Sequence, residues 1–210
     1  STFEKSLAKG RLAESRIAKW LRQHGWTIIP VYEIEYGSGK GPQIYTPLDE
    51  IVAPDLLAWK QNHFRFIEAK NKSVFTRYRK KNKFGHCGSW QTGIDQRHYE
   101  HYQRVGDHFG LDIWLVFLHE QSTPSDIDLA FPDCPRECPT GLFGNSLRVL
   151  SGCVDHPSSR WAKGMVYWNK ESLRLLCPLG DLNSPTAESF VFERVVLSGQ
   201  QEPLNFQEAP

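Results

Sequence analysis

Residues 53–70 read APDLLAWKQNHFRFIEAK, two apolar and aromatic runs on either side of Gln61-Asn62. Two such runs separated by two polar residues predict a β-hairpin. With the turn at Gln61-Asn62, Trp59 falls opposite Phe64, Leu57 opposite Phe66 and Asp55 opposite Glu68. A four-residue loop over 60–63 keeps the same register. Side chains alternate along a strand, so Glu68 and Lys70 share a face. Directly opposed Cβ atoms lie roughly 5 Å apart. Asp55, Glu68 and Lys70 are therefore expected to converge at one end of an otherwise hydrophobic hairpin. Ionised groups are costly there unless they are paired or hold a metal.

Two opposed carboxylates repel, and a divalent cation between them removes the repulsion. Hard oxygen ligands suit Mg²⁺ or Mn²⁺. A cation so held and bridged to a phosphate favours hydrolysis. A nearby lysine orients the attacking water or stabilises the charge that develops on phosphorus. The pattern predicts a metal-dependent phosphodiesterase site. The plainer reading is a Glu68–Lys70 pair at a solvated strand end, with Asp55 as a turn residue.

Working outward, EKSLAKGRLAESRIAKWLRQHGW predicts a helix. Leu12, Ile17, Ala18 and Leu21 form its apolar stripe, and Gly25 stops it. WTIIPVYEIEY (26–36) predicts a strand, with Pro30 marking an edge or a bulge. Residues 37–50 are loop-like. A second helix is expected over 92–109, followed by a buried strand, DIWLVFLHE (112–120). The expected fold class is α/β, a mixed sheet flanked by helices. Residues 1–120 are expected to form the core and 121–210 a loop-rich C-terminal extension packed on it. Within that extension, 163–179 predicts a strand and a short helix, and FVFERVVL another strand.

Pro54-Asp55, twelve residues, then Glu68-Ala69-Lys70 resembles the PD-(D/E)xK nuclease superfamily, which includes restriction endonucleases and Holliday-junction resolvases. The resemblance covers about residues 8–120, because the order helix, three strands, helix, strand matches the family's αβββαβ core. It implies a restriction-endonuclease-like fold and Mg²⁺- or Mn²⁺-dependent DNA endonuclease activity. It implies that Asp55 and Glu68 bind the metal, that Ala69 lends its carbonyl and that Lys70 assists catalysis. Many members carry a further acid on the first helix, a place that Glu14 occupies here. Several branches place a Gln-x-x-x-Tyr motif on the helix after the hairpin. This chain has GIDQRHYEHY there, with Asp95 where the glutamine is expected. Asp95, Tyr99 and Tyr102 share a helix face, and Gln91 and His98 are further candidates. The bland alternative is an amphipathic helix whose tyrosines cover the sheet. Many relatives dimerise to cut both strands, so a homodimer is the assembly the resemblance implies.

The segment KNKSVFTRYRKKNK (70–83) carries Lys72, Arg77, Arg79, Lys80, Lys81 and Lys83, interleaved with Phe75 and Tyr78. As a loop beside the catalytic strand it is expected to contact DNA, cations on phosphates and aromatics on exposed bases. A charge run is otherwise a solvated face. Cys134, Cys138, Cys153 and His156 follow the spacing C-x3-C-x14-C-x2-H, which suits a structural zinc site. Cys87 and Cys177 look like bystanders.

Lysine and arginine number 25 against 24 acids, a net charge of +1, so DNA affinity must come from a local patch. Five unevenly placed cysteines argue against a disulfide framework. No run approaches the roughly 20 apolar residues of a membrane span, and the first residues lack the apolar core of a signal peptide. An intracellular protein with no membrane partner is expected. The second functional expectation is a module on the same fold that holds nucleic acid or a protein without cleaving.

Overall fold

In a computed structural model, which describes residues 2–31, 42–47, 49–82, 85–158 and 164–182, the two runs of residues 53–70 form an antiparallel hairpin. Its strands are β4 (Leu56–Lys60) and β5 (His63–Ser73), preceded in the chain by α1 (Thr2–Gln23), β1 (Thr27–Pro30), β2 (Gln43–Tyr45) and β3 (Glu50–Val52). The register has Trp59 opposite Phe64 and Leu57 opposite Phe66, as the two-residue turn dictates. Gln61 adopts a left-handed φ of 54°, the conformation a tight hairpin turn demands.

After β5 come β6 (Thr76–Asn82), β7 (Gly85–Asp95), α2 (Gln96–Phe109) and β8 (Asp112–His119). The remaining elements are α3 (Asp126–Leu129), β9 (Gly141–Ser146), α4 (Leu147–Ser151), β10 (His156–Ser158), β11 (Met165–Asn169) and β12 (Arg174–Cys177). A six-stranded mixed sheet runs in the order β1-β4-β5-β8-β9-β12, with β5 and β8 parallel and its other pairs antiparallel. The helix α1, the strands β1, β4 and β5, the helix α2 and the strand β8 thus supply the expected αβββαβ order around a mixed sheet. The pair β2-β3 and the hairpin β6–β7 are insertions in it. A second sheet runs β10-β11-β7-β6.

The central sheet is covered on both faces. On one, Ala13, Ile17, Trp20 and Leu21 of α1 pack with Ile67, Ala69, Trp114, Val116 and Leu118. On the other, Tyr102 and Val105 of α2 pack with Phe66, Ile113, Leu115 and Phe117. The strand β8 serves both clusters with alternate residues, which is why its sequence is apolar without interruption. Burying each such side chain stabilises the fold by roughly 1.5–3 kcal/mol.

Several expectations are corrected. The apolar stripe of α1 includes Ala13 and Trp20 rather than Leu12, which is 56% exposed. The helix expected from residue 92 starts at Gln96, because residues 85–95 are the strand β7. The basic segment is not a loop: β5 continues to Ser73 and β6 carries the arginines and lysines. The first strand spans Thr27–Pro30 on the sheet edge, where a proline is tolerated. Residues 121–182, expected to be loop-rich, contribute β9 and β12 to the central sheet and β10 and β11 to the second. The strand expected in FVFERVVL lies outside the described residues.

Candidate active site

The hairpin brings Asp55, Glu68 and Lys70 to one end of β4–β5. Asp55 sits one residue before β4, and its Oδ2 accepts the backbone N–H of Ala69 at 2.9 Å. Glu68 is buried beneath α2, paired in the parallel ladder with Leu115. The Lys70 ammonium forms an ion pair with Glu68 Oε1. Both partners project from the same face of β5, as strand alternation requires.

The electrostatics of the trio are set by burial and by one another. Burial, reinforced by the Glu68 charge, raises the Asp55 carboxyl to about 8, while Lys70 and the Ala69 N–H pull it back. Burial works against the Lys70 charge, but Glu68 and then Asp55 outweigh it, so the ammonium is held above its ordinary pKa. The lysine is a fixed cation.

Other residues surround the trio. Glu14, half-buried on α1, has its pKa raised by burial and then by the Glu68 charge. It lines a cleft with Lys9, Asp55, Ala69, Lys70 and Asn71. From α2, Tyr102 is kept a neutral phenol by burial and then by the charges of Glu68 and Asp55. His98 is pushed down by burial and then by Lys70, and its Nδ1 lies 4.0 Å from Asp95 Oδ2. Asp95 ends β7 and acts on Lys70 across the site. Tyr99 does not join them: its hydroxyl donates to Ser151 Oγ at 3.1 Å and its ring tilts against Trp168. Gln91 is also directed elsewhere, donating to Asp155 and Asn169. The helix therefore presents its 95/98/102 side to the hairpin, and Tyr102 is the tyrosine at Glu68.

Among the described residues, no three His, Cys, Asp or Glu side chains group to hold a metal. The donors at hand are the two carboxylates of Asp55 and Glu68 and the Ala69 carbonyl, all hard oxygens. They fit Mg²⁺ or Mn²⁺, which retain water in their coordination sphere. The Asp55 carboxyl is raised first by burial and then by the negative charge of Glu68. Lys70 offsets part of it, and a divalent cation would remove the rest.

The basic residues divide. Lys72 lies on β5 beyond Lys70, while Arg79, Lys80 and Lys81 lie on β6, an edge strand of the second sheet. Arg77 is committed inward, 5.4 Å over the Trp90 ring and 3.7 Å from Asp133 Oδ2. Lys83 lies outside the described residues.

The structure does not bring the four zinc candidates together as a metal-holding group. Cys134, Cys138 and Cys153 are free thiols, and no metal-holding group among the described residues includes them. The buried Cys138 Sγ donates to the Gln121 carbonyl at 3.2 Å. His156 stands in an aromatic stack between Tyr78 and Tyr167, with Nδ1 2.9 Å from Asp155 Oδ2. Cysteines close in sequence thus find carbonyls, and the imidazole finds rings and a carboxylate.

Sequence reasoning missed two features near the site. One is a bulge at Asn71–Ser73, for which Ser73 gives no local signal. The other is His119, fully buried at the end of β8 and stacked on Phe75 at 3.6 Å. Its only sequence signal is a titratable residue closing an apolar run. Among the described residues, no helix is long and apolar enough to cross a membrane.

No protein-family model matches the chain, and no curated protein matches it. Among solved structures it is similar to Archaeoglobus fulgidus Hjc, a Holliday junction resolvase from an archaeal hyperthermophile. The identity is 12%, the match covers 78% of this chain and 90% of that one, and the TM-score is 0.42.

Proposed function

We propose that this protein is a divalent-metal-dependent endonuclease that hydrolyses phosphodiester bonds in DNA, with Asp55, Glu68 and Lys70 at its centre. The observation that carries the reading is the trio itself. Two carboxylates and an ammonium are held together, with little exposure, at the end of a hydrophobic hairpin. Such an arrangement opposes folding unless it serves chemistry.

Each residue has a role that follows from its surroundings. Asp55, Glu68 and the Ala69 carbonyl would hold Mg²⁺ or Mn²⁺, which when bound activates water and neutralises charge on the phosphate. Asp55 would give up its proton as the cation binds, since a divalent charge beside it would outweigh the burial and the Glu68 charge that hold that proton at neutral pH. Lys70 stays charged, so it acts as an electrostatic stabiliser of the pentavalent phosphate and not as a general base. Tyr102 stays protonated, a neutral buried phenol in the field of Glu68 and Asp55. Glu14 lines the neighbouring cleft and tunes the field at the trio. The edge strand β6, with Arg79, Lys80 and Lys81, supplies cations for the DNA backbone.

The test is incubation with plasmid and branched DNA in Mg²⁺ or in EDTA. Cleavage in Mg²⁺ alone, lost in Asp55→Ala, Glu68→Ala and Lys70→Ala at unchanged melting temperature, supports the reading. Binding without cleavage in either condition replaces it with a non-cleaving nucleic-acid-binding module.

A further inference from the structure

The catalytic strand does not end regularly. Between Asn71 and Ser73 the β5–β8 ladder shifts: Asn71 pairs with Leu118 and Ser73 with His119, leaving Lys72 as the extra residue. Ser73 takes a left-handed φ of 49°, unfavourable for a residue other than glycine. The bulge is nevertheless tied down from several sides. The Ser73 N–H donates to Asn71 Oδ1 at 3.0 Å. The Ser73 carbonyl accepts the N–H groups of Glu120 at 2.8 Å and Gln121 at 2.9 Å. Asn71 Nδ2 reaches Glu120 Oε2 at 3.4 Å, and Glu120 is ion-paired with Arg16 of α1. Strain maintained by this many contacts serves to re-aim a side chain.

The residue set apart from the ladder is Lys72, two beyond Lys70 on the same strand. Lys70, Asp95 and His119 are the titratable groups coupled to it. Burial and then the Lys70 charge push its pKa down to about 8. Lys70 is matched by Glu68, whereas among the described residues no carboxylate lies within ion-pair distance of Lys72. A half-buried ammonium beside another cation is costly without an anion to meet it.

We propose that Lys72 is a phosphate-binding residue, held by the Asn71–Ser73 bulge to engage the backbone phosphate next to the one under attack at Lys70. Residues two apart on a strand are roughly 7 Å apart, which suits successive phosphates of a nucleic-acid strand. That the anion is a DNA phosphate rests on the nuclease reading above. On this view Lys72 belongs to the catalytic strand and sets where the substrate strand lies, independently of the basic strand β6.

The experiment measures binding to a short DNA duplex in EDTA, where cleavage cannot contribute, across a salt series. Lys72→Ala should weaken binding about tenfold and reduce the slope of log K against log salt by about 0.9, the value of one phosphate contact. Lys72→Arg should restore most of both. In Mg²⁺ the loss in kcat/KM should be carried mainly by KM. A merely structural lysine would instead lower the melting temperature and leave the salt slope alone. Wild-type protein that cuts DNA, with Lys72→Ala at parental affinity and slope, overturns this proposal and leaves the nuclease reading standing. Wild-type protein that binds but never cuts, with Lys72→Ala weakened as expected, supports the proposal and overturns the nuclease reading. Protein that does not bind DNA overturns both.

Discussion

The Asp55 carboxylate reaches across the hairpin to accept the backbone N–H of Ala69, the residue between Glu68 and Lys70. One hydrogen bond thus locks the acid of one strand to the middle of the motif on the next. It also holds a buried acid beside Glu68, with consequences for stability that can be measured.

In EDTA, stability should fall as pH rises through the range where Asp55 ionises. Its folded-state pKa of about 8 lies above its ordinary 3.8, so the native state binds the extra proton and loses that advantage between those values. Each tenfold gain in proton affinity is worth roughly 1.4 kcal/mol at most. His119, depressed to about 3, acts in the opposite sense below pH 6.5, so the clearest window is pH 6.5 to 8. Urea titrations should show a declining stability there, flattened in Asp55→Asn. Parallel curves for the two proteins would contradict the raised acid.

Lys70→Ala should reduce cleavage by about a hundredfold or more, the scale of losing one preorganised charge at a reacting phosphate. Single-turnover rates set against melting temperatures separate this from unfolding. A rate that drops only as far as the protein unfolds would make the ion pair structural.

Tyr102→Phe removes a buried hydroxyl on which the Glu68 charge acts, and Tyr99→Phe removes one bonded to Ser151. Both should cost about 1 kcal/mol of stability. Only Tyr102→Phe should slow cleavage, by about tenfold. Equal rates in the two variants would place Tyr102 outside the site.

His119→Phe should make the protein more resistant to acid. Burial and then Lys72 depress the imidazole to about 3, so the unfolded chain takes up its proton first and stability is lost as pH falls from 6.5 toward 3. Phenylalanine keeps the stack on Phe75 and carries no proton. Acid titration followed by circular dichroism checks this, and an unshifted midpoint would refute it.

The hairpin was legible in the sequence because a two-residue turn and strict alternation leave only one register that buries Leu56, Ala58 and Ile67 together. The apolar run of β8 likewise identified a strand buried on both faces. The strand β6 was hidden, since TRYRKKN carries too much charge to read as a strand and pairs only through its partner β7. The surroundings of the cysteines were not legible because spacing along the chain says nothing of direction: Cys138 turns to the Gln121 carbonyl while His156 enters an aromatic stack. Tyr99 and Tyr102 looked equivalent on a helical wheel. Which of them meets Glu68 depends on how α2 is rolled against the sheet, a tertiary choice that periodicity does not contain.

The place of β9 beside β8 bears on how this chain can be cut. A fragment ending after Glu120 would keep every residue of the trio yet leave one edge of β8 unpaired. That edge would present the unpaired backbone N–H and C=O groups of β8 to water, an open ladder on which chains add to one another as aggregates. The smallest piece that folds must therefore extend through β12, and a fragment ending at Glu120 should be recovered only as aggregate.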